Sequence, residues 1–357
     1  MINQKRLLDA FINLVKIDSP TGEEEKISAY VLNLLEKKAI KCYRDKLNNV
    51  VAKISGKGTP LLLSAHLDTV EPSRGTRPVI KSGKITSDGK TILGADNKVA
   101  VAAIIEAIYI LHEDKLNSKT LDVVFTVSEE SGNYGVAGLD YSKISAREGY
   151  VFDISQTIGT IVTASPFYDR FDIEIIGKSS HASLPENGIN AVNILKDALN
   201  SIRVGRISKN TLVNIGILQG GDARNTVPGL IKLAGEIRSF SEKEQNINLK
   251  KIKRIFETCS KKYKGKIKST YTRENLGYVY KRNDKLIVNA IGVMKKQEIK
   301  PVLVRPYGCS DANIFIERGI QVLNLGNGAK NAHTTRESVK VSDIIKLSKL
   351  ILSLSIN

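Results

Sequence analysis

The segment LLLSAHLDTV, from Leu61 to Val70, decides the fold class of this chain. Its first five residues are almost entirely apolar, and they follow Pro60. A short apolar run of this kind is typical of a strand that is buried on both faces, as in the parallel sheet of an α/β protein. His66 and Asp68 come next and, being two residues apart, lie on the same side of the chain. We therefore predict a buried strand that ends in polar side chains.

The same arrangement recurs further along the chain. Four more segments carry an imidazole or carboxylates at a strand end or a helix start: Asp96 before a helix predicted over Lys98–His112, Glu129 and Glu130 after a strand at Leu121–Val127, Asp153 after Gly149–Phe152, and His333 beyond Ile320–Leu325. In open α/β sheets, ligands bind at the carboxyl ends of the strands. We therefore expect these side chains to converge on one site.

Each of these residues also has an ordinary structural explanation. Asp96 alone would be a helix cap, Asp153 a turn residue, and an acidic pair in a loop is usually just solvated. Taken together, two histidines and three or four carboxylates would repel one another unless cations neutralised them. Nitrogen and oxygen ligands suit Zn²⁺, with Co²⁺ and Mn²⁺ as possible substitutes. The ligands outnumber those of one tetrahedral ion, which favours two metals bridged by a carboxylate.

The order of the predicted strands and helices divides the chain into two domains. Strand and helix patterns alternate in residues 1–162 and again in 274–357, which predicts one α/β domain that is split in the sequence. Residues 163–273 instead follow the order β-α-β-β-α-β, which is typical of a ferredoxin-like α+β domain. We therefore expect a mixed-sheet α/β domain with a smaller domain inserted into it.

Composition excludes several classes of protein. The 357 residues carry a formal charge of +17, but residues 1–160 hold 21 basic and 20 acidic residues, so the excess lies in the second half. We interpret it as a solvated basic face, because no nucleic-acid-binding motif accompanies it. The three cysteines have no C-x-x-C spacing, and we find no signal peptide or membrane-spanning segment. We expect a cytoplasmic protein that binds neither nucleic acid nor membrane.

Five motifs together resemble those of a known superfamily. HLDTV, GADNKVAVAA, EESGNYGVAGL, YVFD and AHTTRE, which begin at His66, Gly94, Glu129, Tyr150 and Ala332, are similar in kind and order to motifs of the dinuclear-zinc metallopeptidases and amidohydrolases. That superfamily includes acetylornithine deacetylase, succinyl-diaminopimelate desuccinylase, carboxypeptidase G and peptidase T. GADNK and GNYGVAGLD most resemble the peptidase T-like branch. The resemblance implies a zinc-exopeptidase-like catalytic domain, with the inserted domain serving as a lid and dimerisation domain.

The resemblance also implies roles for individual residues. The metal ligands would be His66, Asp96, Glu130, Asp153 and His333, with Asp96 bridging the two ions. Glu129 would be the general base that takes a proton from the metal-bound water. Asp68 would orient the imidazole of His66. In the inserted domain, His181 would stabilise the oxyanion, helped by Asn225 and Arg238, and the turn that contains Gly308 would line the substrate site.

The residues of this chain leave the substrate subtype open. Asp153 stands where acylase and carboxypeptidase members tend to carry Glu, which favours an aminopeptidase that acts on short peptides. Asn97, however, stands where peptidase T has a second Asp, so strict tripeptide specificity does not follow. An N-acyl amino acid deacylase, or a dipeptidase or carboxypeptidase on the same two-zinc fold, is the alternative. The resemblance further suggests a homodimer formed through the inserted domain.

Overall fold

The structure is a computed structural model that describes residues 1–356. The chain forms two compact units. Of the described residues, the first unit comprises 1–163, 280–305 and 310–356, and the second comprises 164–279 and 306–309. The second unit thus extends six residues beyond the 273 expected for the inserted domain and gains a short piece at 306–309.

The first unit is built around an eight-stranded mixed sheet. Its strands lie side by side in the order Lys41–Arg44, Val50–Ile54, Leu121–Thr126, Leu61–His66, Glu148–Ile154, Gln321–Gly326, Thr160–Val162 and Val302–Val304. The strands from Leu121–Thr126 to Gln321–Gly326 in this order are parallel, whereas the first two strands pair antiparallel. The predicted mixed-sheet α/β fold is therefore confirmed. Because the central strands are parallel, their carboxyl ends lie at one edge.

Helices cover this sheet, and one of them is buried almost throughout. The helices of the first unit are Gln4–Val15, Glu25–Glu36, Ala95–Glu113, Tyr134–Ala137, Lys285–Lys296, Asp311–Glu317 and Val341–Ser355, with a 3-10 turn at Tyr141–Lys143. Ala95–Glu113 is apolar on nearly every side and lies in the main core beside Gln4–Val15 and Val341–Ser355. A hairpin of Val79–Lys81 and Lys84–Thr86 pairs with Ser338–Lys340 as a separate small sheet.

The second unit has its own sheet and core. Its antiparallel strands lie in the order Gly205–Arg206, Thr211–Gly220, Leu230–Ser239, Phe167–Ile176 and Lys266–Asn275. The helices Ala191–Ser201 and Glu242–Lys262 pack on this sheet through a buried apolar cluster that includes Ile194 and Phe256. Short pieces complete the unit at Ala164–Ser165, Ser180–His181, Pro185–Asn187, Thr226–Val227 and Tyr278–Val279. The four long strands and two helices follow the β-α-β-β-α-β order of a ferredoxin-like unit.

Among residues 1–356, no helix is both long and apolar enough to cross a membrane.

Candidate metal centre

Two groups of possible metal ligands lie at the carboxyl edge of the large sheet. In each group, one ligand atom per residue lies within 4.8 Å of the others. The first group contains His66, Glu129 and Asp153, and the second contains Asp96, Glu130 and His333. His66 pairs in register with Thr126 on the neighbouring parallel strand, so the loop that carries the two glutamates starts beside the histidine. The sheet thus gathers six of the residues identified from the sequence.

Asp96 lies between the two histidines. Its Oδ1 is 3.6 Å from His66 Nε2, and its Oδ2 is 3.8 Å from His333 Nε2. His66 Nε2 also lies 3.2 Å from Asp153 Oδ1, and His333 Nε2 lies 2.8 Å from Glu130 Oε1. The two oxygens of one carboxylate therefore face two separate histidine–carboxylate pairs, as a bridging ligand requires.

The turn that carries Asp96 has a shape the sequence did not indicate. Asp96 and Asn97 fall within the assigned helix but have non-helical dihedral angles, so Asp96 is not a simple helix cap. The buried carboxylate of Glu337 accepts hydrogen bonds from the amides of Gly94, at 2.6 Å, and Asp96, at 2.9 Å. Glu337 lies four residues beyond His333 and therefore ties the His333 loop to the Asp96 turn.

Asp68 holds more than the imidazole expected from the sequence. Its carboxylate is fully buried and accepts the amide hydrogens of Glu129, at 3.0 Å, and Glu130, at 3.1 Å. Thr21 Oγ1 donates to the same carboxylate at 2.8 Å. His66 Nδ1 lies 3.0 Å from the backbone oxygen of Asp68 and 3.4 Å from its Oδ1. One aspartate thus fixes His66 and the backbone of both glutamates.

Side-chain amides and a hydroxyl orient the other carboxylates. The carboxylate of Asp153 accepts from Asn97 Nδ2, which lies 3.2 Å from Asp153 Oδ1. Ser155 Oγ donates to Asp96 Oδ2 at 2.9 Å, and Asn327 Nδ2 lies 3.2 Å from Asp96 Oδ1. These neutral donors hold the carboxylates without neutralising them.

The electrostatics of the cluster favour positive charge at its centre. Burial opposes ionisation of Asp153 and, with repulsion from Asp96, raises its pKa to about 7. Burial and the nearby Asp153 carboxylate also raise the pKa of Glu129 well above its ordinary value. The hydrogen bond to Glu130 raises the pKa of His333 to about 9. Since anionic groups that share a confined site resist joint ionisation, bound cations would stabilise them.

The donor set fits a pair of divalent metal ions. His66 and Asp153 with one oxygen of Asp96 offer nitrogen and oxygen ligands to a first ion, and Glu130 and His333 with the other oxygen of Asp96 do so for a second. Glu129 lies within the first group. Such nitrogen and oxygen ligands suit Zn²⁺ and related divalent ions.

The remaining predicted site residues belong to the second unit. His181 is exposed and pairs with Thr226 on a short two-stranded ladder, and its Nδ1 lies 2.6 Å from Ser183 Oγ. Asn225 accepts the amide hydrogen of Ala182 through its carbonyl oxygen at 2.8 Å, so Asn225 and His181 are neighbours.

Arg238 and Gly308 lie near each other in the same unit. The guanidinium of Arg238 bonds the Glu236 carboxylate at 3.0 and 3.1 Å and donates to the carbonyl oxygen of Tyr307 at 2.9 Å. Arg238 thus forms a salt bridge with Glu236, which lies two residues before it on the same strand. The carbonyl oxygen of Gly308 accepts from Ser165 Oγ at 3.2 Å.

Sequence reasoning missed three buried polar residues of the first unit. Glu337, Asn133 and Lys98 carry no strand-end pattern, although all three lie within motifs that support the family resemblance. Lys98 Nζ donates to the carbonyl oxygen of Ile17 at 2.8 Å, and burial lowers its pKa to about 8. A polar residue in an otherwise apolar helix start, as in NKVAVAA, is the signal that could have singled out Lys98.

Known proteins resemble this chain in sequence and in fold. The sequence model of peptidase family M20/M25/M40 matches residues 62–357. The crystal structure of aminopeptidase PepT from Bacillus cereus has a TM-score of 0.93 and 32% identity, with 99% of this chain and 98% of that chain covered. A tripeptidase from Staphylococcus aureus has a TM-score of 0.96 and 31% identity, with the same coverage.

A third solved structure shares the fold at lower identity. It is a dinuclear metal-binding peptidase of the M20 family from Bacillus subtilis, with a TM-score of 0.76, 17% identity, and coverage of 98% of this chain and 97% of that one. The family match, which covers most of the chain, confirms the resemblance seen in the five motifs. This chain belongs to peptidase family M20/M25/M40.

Proposed function

We propose that this chain is a two-metal aminopeptidase that removes the amino-terminal residue from short peptides. The observation that carries this proposal is Asp96, whose two oxygens face His66 and His333 with Glu129 beside the first pair. The aminopeptidase and the tripeptidase that resemble this chain over nearly its whole length support the peptide substrate.

The metals of this proposal are two Zn²⁺ ions per chain, with Co²⁺ or Mn²⁺ as substitutes. His66, Asp96 and Asp153 would hold one ion, and Asp96, Glu130 and His333 the other. When bound, such a pair polarises the scissile carbonyl and lowers the pKa of the attacking water.

Glu129 is the residue that moves the proton. It accepts the proton of the attacking water and passes it to the leaving amine, as a general base and then a general acid. Asp68 holds the backbone of both glutamates, but their side chains have separate partners. Glu129 Oε1 lies 3.1 Å from Asn133 Nδ2, whereas Glu130 Oε1 lies 2.8 Å from His333 Nε2. This separation allows one glutamate to ligate while the other reacts.

The second unit supplies the substrate contacts in this proposal. His181 has one ring nitrogen beside Ser183, which leaves Nε2 to stabilise the oxyanion of the scissile carbonyl. Asn225 and Arg238 would contact the substrate, with the turn at Gly308 lining its site. As in the sequence-based hypothesis, this unit serves as the lid.

We also propose that two copies associate through the second unit. The strand Thr211–Gly220 is paired along one side, but on the other side the short strand Gly205–Arg206 reaches only Leu212 and Val213. Beyond that point Ile217 and Leu218 are 53% and 55% exposed. An unpaired strand edge with apolar side chains is a template for pairing with another strand. We expect light scattering to give a dimer that is weakened by Leu218→Lys.

A substrate panel with and without metal tests the catalytic proposal. We expect the purified protein to release the first residue of di- and tripeptides, to lose activity with a chelator, and to regain it with Zn²⁺, Co²⁺ or Mn²⁺. Glu129→Gln should retain metal and lose at least ~10²-fold in turnover. Activity that ignores chelation, or survives Glu129→Gln, would refute the mechanism.

The same panel separates the alternative functions. Faster hydrolysis of N-acetyl amino acids than of free peptides would establish the deacylase instead. Release of the carboxyl-terminal residue from a tripeptide would establish a carboxypeptidase, and cleavage of dipeptides alone a dipeptidase. The aminopeptidase requires that acetylation of the peptide amino group abolish cleavage.

A further inference from the structure

We propose that Asp311 is a positioning residue for Glu129 and that it acts through the side chain of Asn133. The inference rests on the role proposed above for Glu129 as the general base. Asn133 Nδ2 lies 3.1 Å from Glu129 Oε1 and 3.0 Å from Asp311 Oδ1. One amide group thus joins the buried aspartate to the reacting glutamate.

The backbone conformation of Asn133 fixes the position from which its side-chain amide extends. Asn133 has a positive φ of 61° and caps the short helix Tyr134–Ala137. Its amide hydrogen is donated to the carbonyl oxygen of Glu129 at 3.0 Å. Asparagine tolerates this left-handed conformation better than most residues. The side chain is 4% exposed, so water does not compete freely for its hydrogen bonds.

The two carboxylates decide which end of that amide faces Glu129. An asparagine side chain carries an oxygen acceptor on one side and two N–H donors on the other. Because ionised Glu129 and Asp311 only accept, both contacts are made only when the NH₂ group points at them. Asp311 therefore prevents the amide from turning its oxygen toward the base.

Asp311 is a buried carboxylate in the first turn of the helix Asp311–Glu317. It is 1% exposed, and its other oxygen accepts from Thr126 Oγ1, at the end of the strand that leads to Glu129. The two side chains that donate to its carboxylate, Thr126 and Asn133, are both neutral. A buried carboxylate without a cationic partner costs folding free energy, so a role at the adjacent site accounts for its presence.

This chain of contacts would hold one oxygen of Glu129 and leave Oε2 for proton transfer. Restraining a catalytic group in its reactive position acts on the chemical step rather than on substrate binding. Loss of the restraint should therefore lower kcat more than it changes KM. A residue needed only for folding would instead reduce the amount of active protein.

Steady-state kinetics of the metal-loaded enzyme on a tripeptide tests the proposal. Asn133→Gly removes the donor and suits the positive φ. We expect it and Asp311→Ala each to lower kcat ~10-fold or more, with little change in KM and unchanged metal content. The double variant should be no slower than Asn133→Gly alone, because Asp311 acts through Asn133.

Two further variants separate positioning from stability. Asp311→Asn should retain most of the turnover, because its amide oxygen can accept from Asn133 while its NH₂ donates to Thr126. Asp122→Ala is the matched control: Asp122 is fully buried and accepts from Ser145 and the Ala146 amide at the other end of the same strand. It should lower the melting temperature and leave kcat per folded enzyme unchanged.

The outcomes are distinguishable from failure of the proposed function. If Glu129→Gln abolishes turnover but Asn133→Gly does not, the positioning proposal is wrong and the general base stands. Additive losses in the double variant would show that Asp311 acts independently of Asn133 and would overturn the proposal. If Asp311→Ala does not fold, the kcat values of Asn133→Gly and Asp311→Asn still test the positioning proposal. If Glu129→Gln keeps full activity, both proposals fall.

Discussion

Replacing Asp68 with asparagine should disturb both glutamates of the site and not His66 alone. The two side chains have nearly the same shape, but asparagine offers one acceptor oxygen where aspartate offers two. Asp68 uses both oxygens, since Oδ1 accepts from the Glu129 amide and Oδ2 from the Glu130 amide. Whichever way the new amide is turned, its NH₂ group faces one backbone N–H and leaves that donor without a partner.

The size of the effect follows from the burial of Asp68. Its side chain has 0% exposure, so water does not replace the lost acceptor. A buried donor left unsatisfied costs ~1–3 kcal/mol in the free energy of unfolding. At roughly 2–4 °C for each kcal/mol in domains of 150–250 residues, the melting temperature should fall by several degrees. The loop whose amide is freed carries Glu130, a proposed metal ligand, so metal affinity should fall by ~10–100-fold.

The assay pairs thermal unfolding with calorimetric titration of Zn²⁺ into Asp68→Asn protein. Asp122→Asn is the control, because Asp122 is another fully buried acceptor of backbone amides, placed away from the metal centre. It should lose comparable stability and keep its metal affinity. If Asp68→Asn is destabilised but binds Zn²⁺ and turns over peptide as the wild type does, Asp68 has no role in fixing the glutamate loop.

Three further predictions concern other parts of the molecule. Glu337→Gln removes one of the two oxygens that accept from the Gly94 and Asp96 amides and so loosens the turn that carries Asp96. We expect weaker Zn²⁺ binding by calorimetric titration; unchanged affinity would show that Glu337 does not position Asp96. The carboxylate of Glu244 accepts hydrogen bonds from Asn210, Ser208 and Thr211, which lower its pKa. The ionised carboxylate therefore stabilises the fold at pH values above its ordinary pKa, and this stabilisation is lost as the pH falls through the lowered pKa. Glu244→Gln should therefore lower the melting temperature more at pH ~7 than at pH ~3, and an equal effect at both would show that ionisation of Glu244 does not contribute to stability. Residues 162–273 carry a net charge of +10, which should attract the carboxylate of a peptide substrate. Because salt screens this attraction, raising the salt from ~0.05 to ~0.5 M should raise the KM for peptides more than the KM for their carboxyl-terminal amides, and an equal rise for both would contradict this role of the charge.

The convergence of the six candidate metal ligands could be predicted from the sequence because it follows from local patterns. The apolar pattern of Leu61–His66 predicts a buried strand, and parallel strands bring their carboxyl ends to one edge of the sheet. The helix predicted over Lys98–His112 is likewise present, at Ala95–Glu113. Site geometry that depends only on the end of a strand can therefore be inferred before a structure is known.

The network that holds those ligands could not be predicted in this way. Glu337 and Asp311 reach the site from 241 and 178 residues away, respectively, from the partners they contact. Buried polar contacts of this kind depend on the final packing and leave no periodic pattern in the chain. The double role of Asp68 is similar, because only the folded loop brings two successive amides to one carboxylate.

The number of metal ions bound per chain tests the central claim most directly. We expect elemental analysis of the zinc-loaded protein to give about two ions per chain, as the two ligand groups joined by Asp96 require. Asp96→Ala should lower the affinity for both ions, whereas His333→Ala should mainly weaken one of them. Binding of a single ion by the wild type, or of none, would contradict the two-metal site on which the proposed peptidase activity depends.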